Sequence, residues 1–402
     1  MRPRLPVTPI GVGVVAAAVA AVLAGGFAVA AGGPGGMVRV GPPWARPGEV
    51  PAGVEVLEAA EAFDGQYFYR VAADPLGDAT VSHGIELDLP ALRASRIGYP
   101  AVAWVLSAGG RTSLLPWALV AANVLAAGLV AWAAGSLSAD AGRSARWGWL
   151  VAGQLGFVYS LSFDLAELWA CGLGLAGLVL LGRSRPWPAA ALLAAAPLCR
   201  ESALVFALGA VAAGVAGWPP GRRGTRPADD GPAPSRRVAR RPAQLLPGLA
   251  AVGAFAGWQL LVRQRFGTLP IRSSAGNNLR FPFEGLWRSR DAFRPAFDAE
   301  VGLRLLALAF LVVLGVLALR SLRGAQAPLA WAWLASGAVL ATVSEFLWPG
   351  VTGFGRAASE FTVLGLLLVV TSPKGMGPLV RLLPAGVVVV STATALSQLV
   401  KL

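Results

Sequence analysis

Runs of 16 to 22 apolar residues recur along nearly the whole chain. A helix of that length crosses, or nearly crosses, the hydrocarbon core of a bilayer, roughly 30 Å thick. Composition agrees: 55% of the residues are hydrophobic, 14% are charged, and the mean hydropathy is +0.62. This balance excludes a disordered chain and an ordinary soluble domain. The expected fold is all-α, a polytopic transmembrane helical bundle of about ten to twelve membrane segments. A long first extracytoplasmic loop would carry a juxtamembrane helix.

The 34 Lys and Arg outnumber the 21 Asp and Glu, a net charge of +13. In a membrane protein that excess points to cytoplasmic loops and not to nucleic acid. Cys171 and Cys199 both lie in apolar runs, so no disulfide framework is expected. His83 is the one histidine, which excludes a His-based metal cluster and reads as a loop residue.

Arginine positions order the spans. Arg2 and Arg4 precede the run 10–31, which reads as a span with its N-terminus inside; small residues at 28–30 also permit a cleaved signal peptide. Loop 33–98 holds five Arg and nine Asp or Glu, so it belongs outside. Runs 147–163 and 165–181 form a hairpin flanked by Arg143, Arg146, Arg183 and Arg185, with Asp164 and Glu167 at its outer turn. Run 114–134 then goes inward, and 99–109, too short to span, reads as a half-helix dipping in from outside; the alternative is that it spans with Arg111 inside, which puts Arg143 and Arg146 outside. Stretch 187–217 is interrupted by Arg200-Glu201, giving one long helix with a buried ion pair or two short helices. Segment 219–241, with seven Arg and two Asp among Pro and Gly, reads as a cytoplasmic linker. Later spans fall near 245–262, 303–319, 329–347, 361–370 and 383–399. Arg320, Arg323, Lys374 and Arg381 suit cytoplasmic turns.

Chemistry concentrates in a few places. Phe63, Tyr67 and Val71 share a helical face, with Asp64 at the start of the helix and Pro75 closing it. Such a helix would lie at the membrane–water boundary with its rings at headgroup level. Asp64 is a plain N-cap or a functional carboxylate at the positive helix end. Arg93 and Arg96, beside Tyr99, clamp a phosphate or snorkel to lipid headgroups. Arg200 and Glu201, between apolar runs, are a structural pair or functional groups. Asp164 with Glu167 reads first as a polar outer turn. Arg356 faces outward and is a further phosphate ligand candidate. No Walker A sequence, dinucleotide-binding glycine pattern or zinc spacing is present. No cofactor is indicated; carboxylates near a lipid phosphate could hold a divalent metal, but none has ligand spacing.

Three landmarks carry a family resemblance. They are Asp-Gly-Gln-Tyr-Phe-Tyr-Arg-Val-Ala-Ala-Asp-Pro at 64–75, Arg-Ile-Gly-Tyr-Pro at 96–100 and Cys-Arg-Glu-Ser-Ala-Leu at 199–204. Together, over roughly residues 5 to 215, they resemble a bacterial family of cell-surface glycopolymer formation proteins, similar to the GT-C superfamily of polytopic glycosyltransferases. The family forms run Asp-Gly-Gln-Phe-Tyr-Tyr, Arg-Ile-Leu-Tyr-Pro and Thr-Arg-Glu-Thr-Ala-Leu. Cys199 and Ser202 replace Thr, and Gly98 replaces a bulkier residue.

The resemblance implies a GT-C-like membrane module over 1–217, the linker at 218–242 and C-terminal helices over 243–402. It implies sugar transfer from a polyprenyl-phosphate donor to a cell-surface glycan or lipid acceptor, on the outer face of the bacterial plasma membrane. Asp64 matches the acidic position of the first outer loop, with Asp74 a second catalytic candidate. Tyr67, Arg93, Arg96, Tyr99, Arg200, Glu201 and Arg356 are the substrate-binding candidates. A flippase of a lipid-linked sugar, or a non-catalytic component of a glycopolymer assembly complex, are the alternatives.

Overall fold

The computed structural model describes residues 7–58, 62–216, 240–293, 299–372 and 378–402. Lys374 and nearly all of the linker lie outside them. The described chain is an all-α polytopic bundle; its one sheet is a two-stranded hairpin, β1 (Val81–Ser82) and β2 (Ile85–Glu86), with His83 in its turn.

Helix α1 (Pro9–Ala30) starts where Thr8 Oγ1 accepts the Gly11 N–H at 3.1 Å, with Pro9 at the first helical position. Then follow the short helices α2 (Gly65–Ala73), α3 (Pro90–Ser95) and α4 (Gly98–Leu106). Central helix α5 (Leu115–Asp140) packs against α1 and α8 (Glu167–Gly182). The expected single run 147–163 is instead broken into α6 (Trp147–Ala152) and α7 (Leu155–Ser162). Gln154 is extended there, and its side chain accepts the Gly156 N–H at 2.8 Å, which caps a new helix.

Stretch 187–217 takes the two-helix form, α9 (Pro186–Cys199) and α10 (Leu204–Ala216). Arg200 between them is extended (φ −158°, ψ 128°). Helix α11 (Arg240–Phe266) packs on both, and the linker's last residues form its first turn. Beyond α12 (Pro270–Asn278), the C-terminal helices are α13 (Ala299–Ser321), α14 (Ala327–Ala341), α15 (Val351–Ala357), α16 (Ser359–Thr371) and α17 (Pro378–Lys401). Every residue of α16 except Phe361 is buried, as befits a helix apolar on all sides.

Among the described residues, five helices are long and apolar enough to cross a membrane: α1, α5, α11, α13 and α17. A sixth span arises if α15 and α16, bent by 56°, are taken together; four further apolar helices have 10–17 residues. These elements account for most of the expected segments, several shorter than a straight crossing requires. At nine residues, α4 is about 14 Å long and cannot span alone.

One expectation about position is corrected. Helix α2 does not lie on the surface: Gly65 through Ala72 are all buried. Gly65 explains the depth. A Cβ there would sit 2.6 Å from the Phe163 carbonyl oxygen and 2.7 Å from that of Val38, so only glycine lets α2 press against the turn after α7.

Candidate functional site

Asp64 immediately precedes α2, but its side chain makes no capping bond, so the simple cap is excluded. The carboxylate instead points to two arginines. Arg356 Nη2 donates to Asp64 Oδ2 at 2.9 Å, and Arg93 Nη1 stands 3.1 Å from Asp64 Oδ1. Two of the aromatics around Asp64 lie against these cations. The Arg93 guanidinium carbon lies 4.1 Å from the centroid of the Tyr67 ring, and that of Arg356 lies 5.1 Å from the Phe63 ring.

Arg356 continues the chain of charges. Its Nε donates to Glu167 Oε1 at 2.7 Å, and Arg200 Nη1 donates to the same oxygen at 2.6 Å. Ser160 donates its hydroxyl to the other Glu167 oxygen at 3.0 Å. Glu167 therefore joins two guanidiniums from opposite halves of the chain. It is buried, as is Asp164, which overturns the expected polar outer turn.

The Arg200-Glu201 pair is also corrected: each residue has its strongest contact elsewhere. Arg96 grips Glu201 with two bonds, Nη2 to Oε1 at 2.6 Å and Nε to Oε2 at 2.9 Å. The extended backbone of Arg200 lets the neighbours diverge. Arg93 likewise holds Asp88, through Nε at 2.7 Å and Nη2 at 2.8 Å. Neither Arg93 nor Arg96 is a free headgroup anchor.

Four guanidiniums (Arg93, Arg96, Arg200, Arg356) thus face four carboxylates (Asp64, Asp88, Glu167, Glu201). Exposure separates their roles. The Asp64 side chain is 24% exposed and that of Glu167 1%. Asp64 is within reach of a ligand; Glu167 is an internal tie. Burial alone would raise the Asp64 carboxyl pKa, but Arg93, Arg356 and Arg96 overcome it and hold the group well below the usual carboxylate range. Burial, followed by the charge of Asp88, pushes the Tyr67 hydroxyl up, so it stays protonated.

Two expected residues stand apart from this ring. Asp74 follows the last turn of α2, about 15 Å along the helix from Asp64, beside Arg70 and Gly77. Tyr99 is fully buried; its hydroxyl donates to the Leu119 carbonyl at 3.1 Å and its ring meets Phe68 edge-on. Gly98 and Cys199 lie against one another. A Cβ on Gly98 would lie 2.6 Å from Cys199 Sγ and 2.9 Å from its backbone nitrogen. The α4–α9 approach has no room for a side chain at 98.

Sequence reasoning missed Asp88, which braces Arg93 and Tyr67, and the bond from Ser202 to Glu360 at 2.7 Å. The only available signal for Glu360 and Glu167 was an acid opening an otherwise apolar helix. Among the described residues no three His, Cys, Asp or Glu are grouped to hold a metal, and both cysteines are free and buried. No family model, no curated protein and no solved structure matches the chain.

Proposed function

We propose that this chain is a GT-C-like membrane glycosyltransferase. It moves a sugar from a polyprenyl-phosphate donor to a cell-surface glycan or lipid acceptor on the extracytoplasmic face of a bacterial plasma membrane. The observation that carries this reading is the placement of Asp64. A carboxylate that caps nothing is held, partly exposed, by Arg93 and Arg356 at the edge of a ring of guanidiniums.

The chemistry needs a base for an acceptor hydroxyl and cations for a departing phosphate. Both group types are adjacent. The arginines already have carboxylate partners, so a donor phosphate gains them by exchange. Asp64 is the partner most easily exchanged, because it is more exposed than the others on Arg356 and Arg93. When phosphate takes its place, Asp64 loses the cations that suppress its basicity. It can then accept the hydroxyl proton while the acceptor oxygen bonds to the anomeric carbon and the phosphate–sugar bond breaks with inversion. The lipid tail would lie among the apolar helices.

A second reading is a flippase for a lipid-linked sugar. It is supported by the interruption between α9 and α10, where ionisable Arg200 and Glu201 sit between two apolar helices. Reconstitution into liposomes with a panel of polyprenyl-phosphate sugars separates the two. Release of polyprenyl phosphate with labelled product supports transfer; movement of intact donor between leaflets without product supports flipping.

A further inference from the structure

Asp164 is the most unusual carboxylate among the described residues. It occupies the turn between α7 and α8 with a positive φ of 52°, is 0% exposed, and neither oxygen has a hydrogen-bond partner. No described cation is within salt-bridge distance, although four guanidiniums are gathered nearby for other acids. Stranding an ionised carboxylate in this way is costly.

A second orphan stands on another helix. Asn123 of α5 is 1% exposed, and its Oδ1 has no partner. Its amide nitrogen is spent twice, on the Tyr99 hydroxyl at 3.0 Å and the Ser160 carbonyl at 3.0 Å. The second of these groups connects Asn123 with the turn that carries Asp164. The Ser160 carbonyl also accepts the N–H of Leu165, the residue after Asp164, at 3.1 Å. The Tyr99 hydroxyl already donates its proton to the Leu119 carbonyl. Asn123 Oδ1 and the two Asp164 oxygens are thus buried acceptors lacking a donor.

We propose that Asp164 and Asn123 bind one monovalent metal cation, Na⁺ or K⁺, beside the Tyr99 hydroxyl. Oxygen donors with a single carboxylate suit such an ion: one positive charge neutralises the pocket, whereas a divalent ion would demand more acidic ligands than are present. The ion would fix the turn on which α2 rests through Gly65 and from which α8 carries Glu167 into the ring. The site is independent of glycosyl transfer and stands or falls separately.

The test uses the full chain in nanodiscs, with radioactive sodium and rubidium as binding probes. Unfolding temperature is compared in NaCl, KCl and N-methylglucamine chloride at equal ionic strength. One saturable ion per chain is expected, with an unfolding temperature a few degrees higher in the salt of that ion. Asp164→Asn preserves shape and removes the charge, and should abolish both effects. The sodium and rubidium arms identify the ion. Absence of saturable binding, with equal unfolding temperatures in all three salts, overturns the proposal and leaves a simple protonated carboxyl. If the variant does not fold, the wild-type salt comparison decides alone.

Discussion

Arg356 joins Asp64 to Glu167: its Nη2 bonds one carboxylate at 2.9 Å and its Nε the other at 2.7 Å, across 292 and 189 residues of sequence respectively. One guanidinium thereby fastens the C-terminal helices to the loop before α2 and to the start of α8. Replacing Arg356 with Ala leaves Glu167 to Arg200 alone and Asp64 to Arg93 alone. We expect a loss of about 2–4 kcal/mol, below the full value for a buried pair because solvent reaches the site. Arg356→Lys retains the charge but cannot bond both acids in parallel, so it should rescue stability only in part. Thermal unfolding in detergent distinguishes the two; identical unfolding temperatures would remove the bridge from the account.

Arg96 and Glu201 form a two-bond pair, suited to exchange. Either Arg96→Glu or Glu201→Arg should destabilise strongly by placing like charges together. The double exchange should recover part of the loss, with a coupling of about 1–3 kcal/mol. Additive losses would show that the contact contributes little.

The arginines around Asp64 set a pH signature. Its carboxyl is held below its unfolded value, so its contribution to stability is complete above the unfolded pKa and disappears only as pH falls through the lower folded value. The unfolding-temperature difference between wild type and Asp64→Asn should therefore be flat from about pH 8 to pH 5 and shrink below about pH 4. A difference that stays constant down to pH 2 would indicate an ordinary carboxyl, and a wild type that gains stability over the variant as pH falls from 7 to 5 would indicate a raised one.

Gly98 has no space for a side chain against Cys199. Gly98→Leu should cost about 1–3 kcal/mol or more through overpacking. Adding Cys199→Ala should return only part of it, because the backbone nitrogen of Cys199 is also in the way. Full tolerance of Leu at 98 would show that α4 and α9 separate easily.

The bundle was legible because apolar run length is a one-dimensional property. The α2 boundaries were equally local, with Asp64 before the helix and Pro75 after it. Misreadings arose where tertiary pairing decided the outcome. Arg200 and Glu201 are neighbours in sequence, yet the extended backbone of Arg200 sends them to Glu167 and Arg96. Asp164 and Glu167 resemble a solvated turn, yet both are buried, with Glu167 held by Arg200, Arg356 and Ser160. Tyr67 and Phe63 have the composition of a membrane anchor, and only the fold shows arginines stacked on their rings.

The central claim is that Asp64 acts as the base of a sugar transfer and not only as a structural residue. Turnover of a polyprenyl-phosphate sugar by reconstituted protein, compared between wild type and Asp64→Asn, tests it most directly. The account predicts a variant that inserts and unfolds as a cooperative unit but transfers sugar at least ~100-fold more slowly, the scale of a lost general base. Near-normal turnover by folded Asp64→Asn would contradict it.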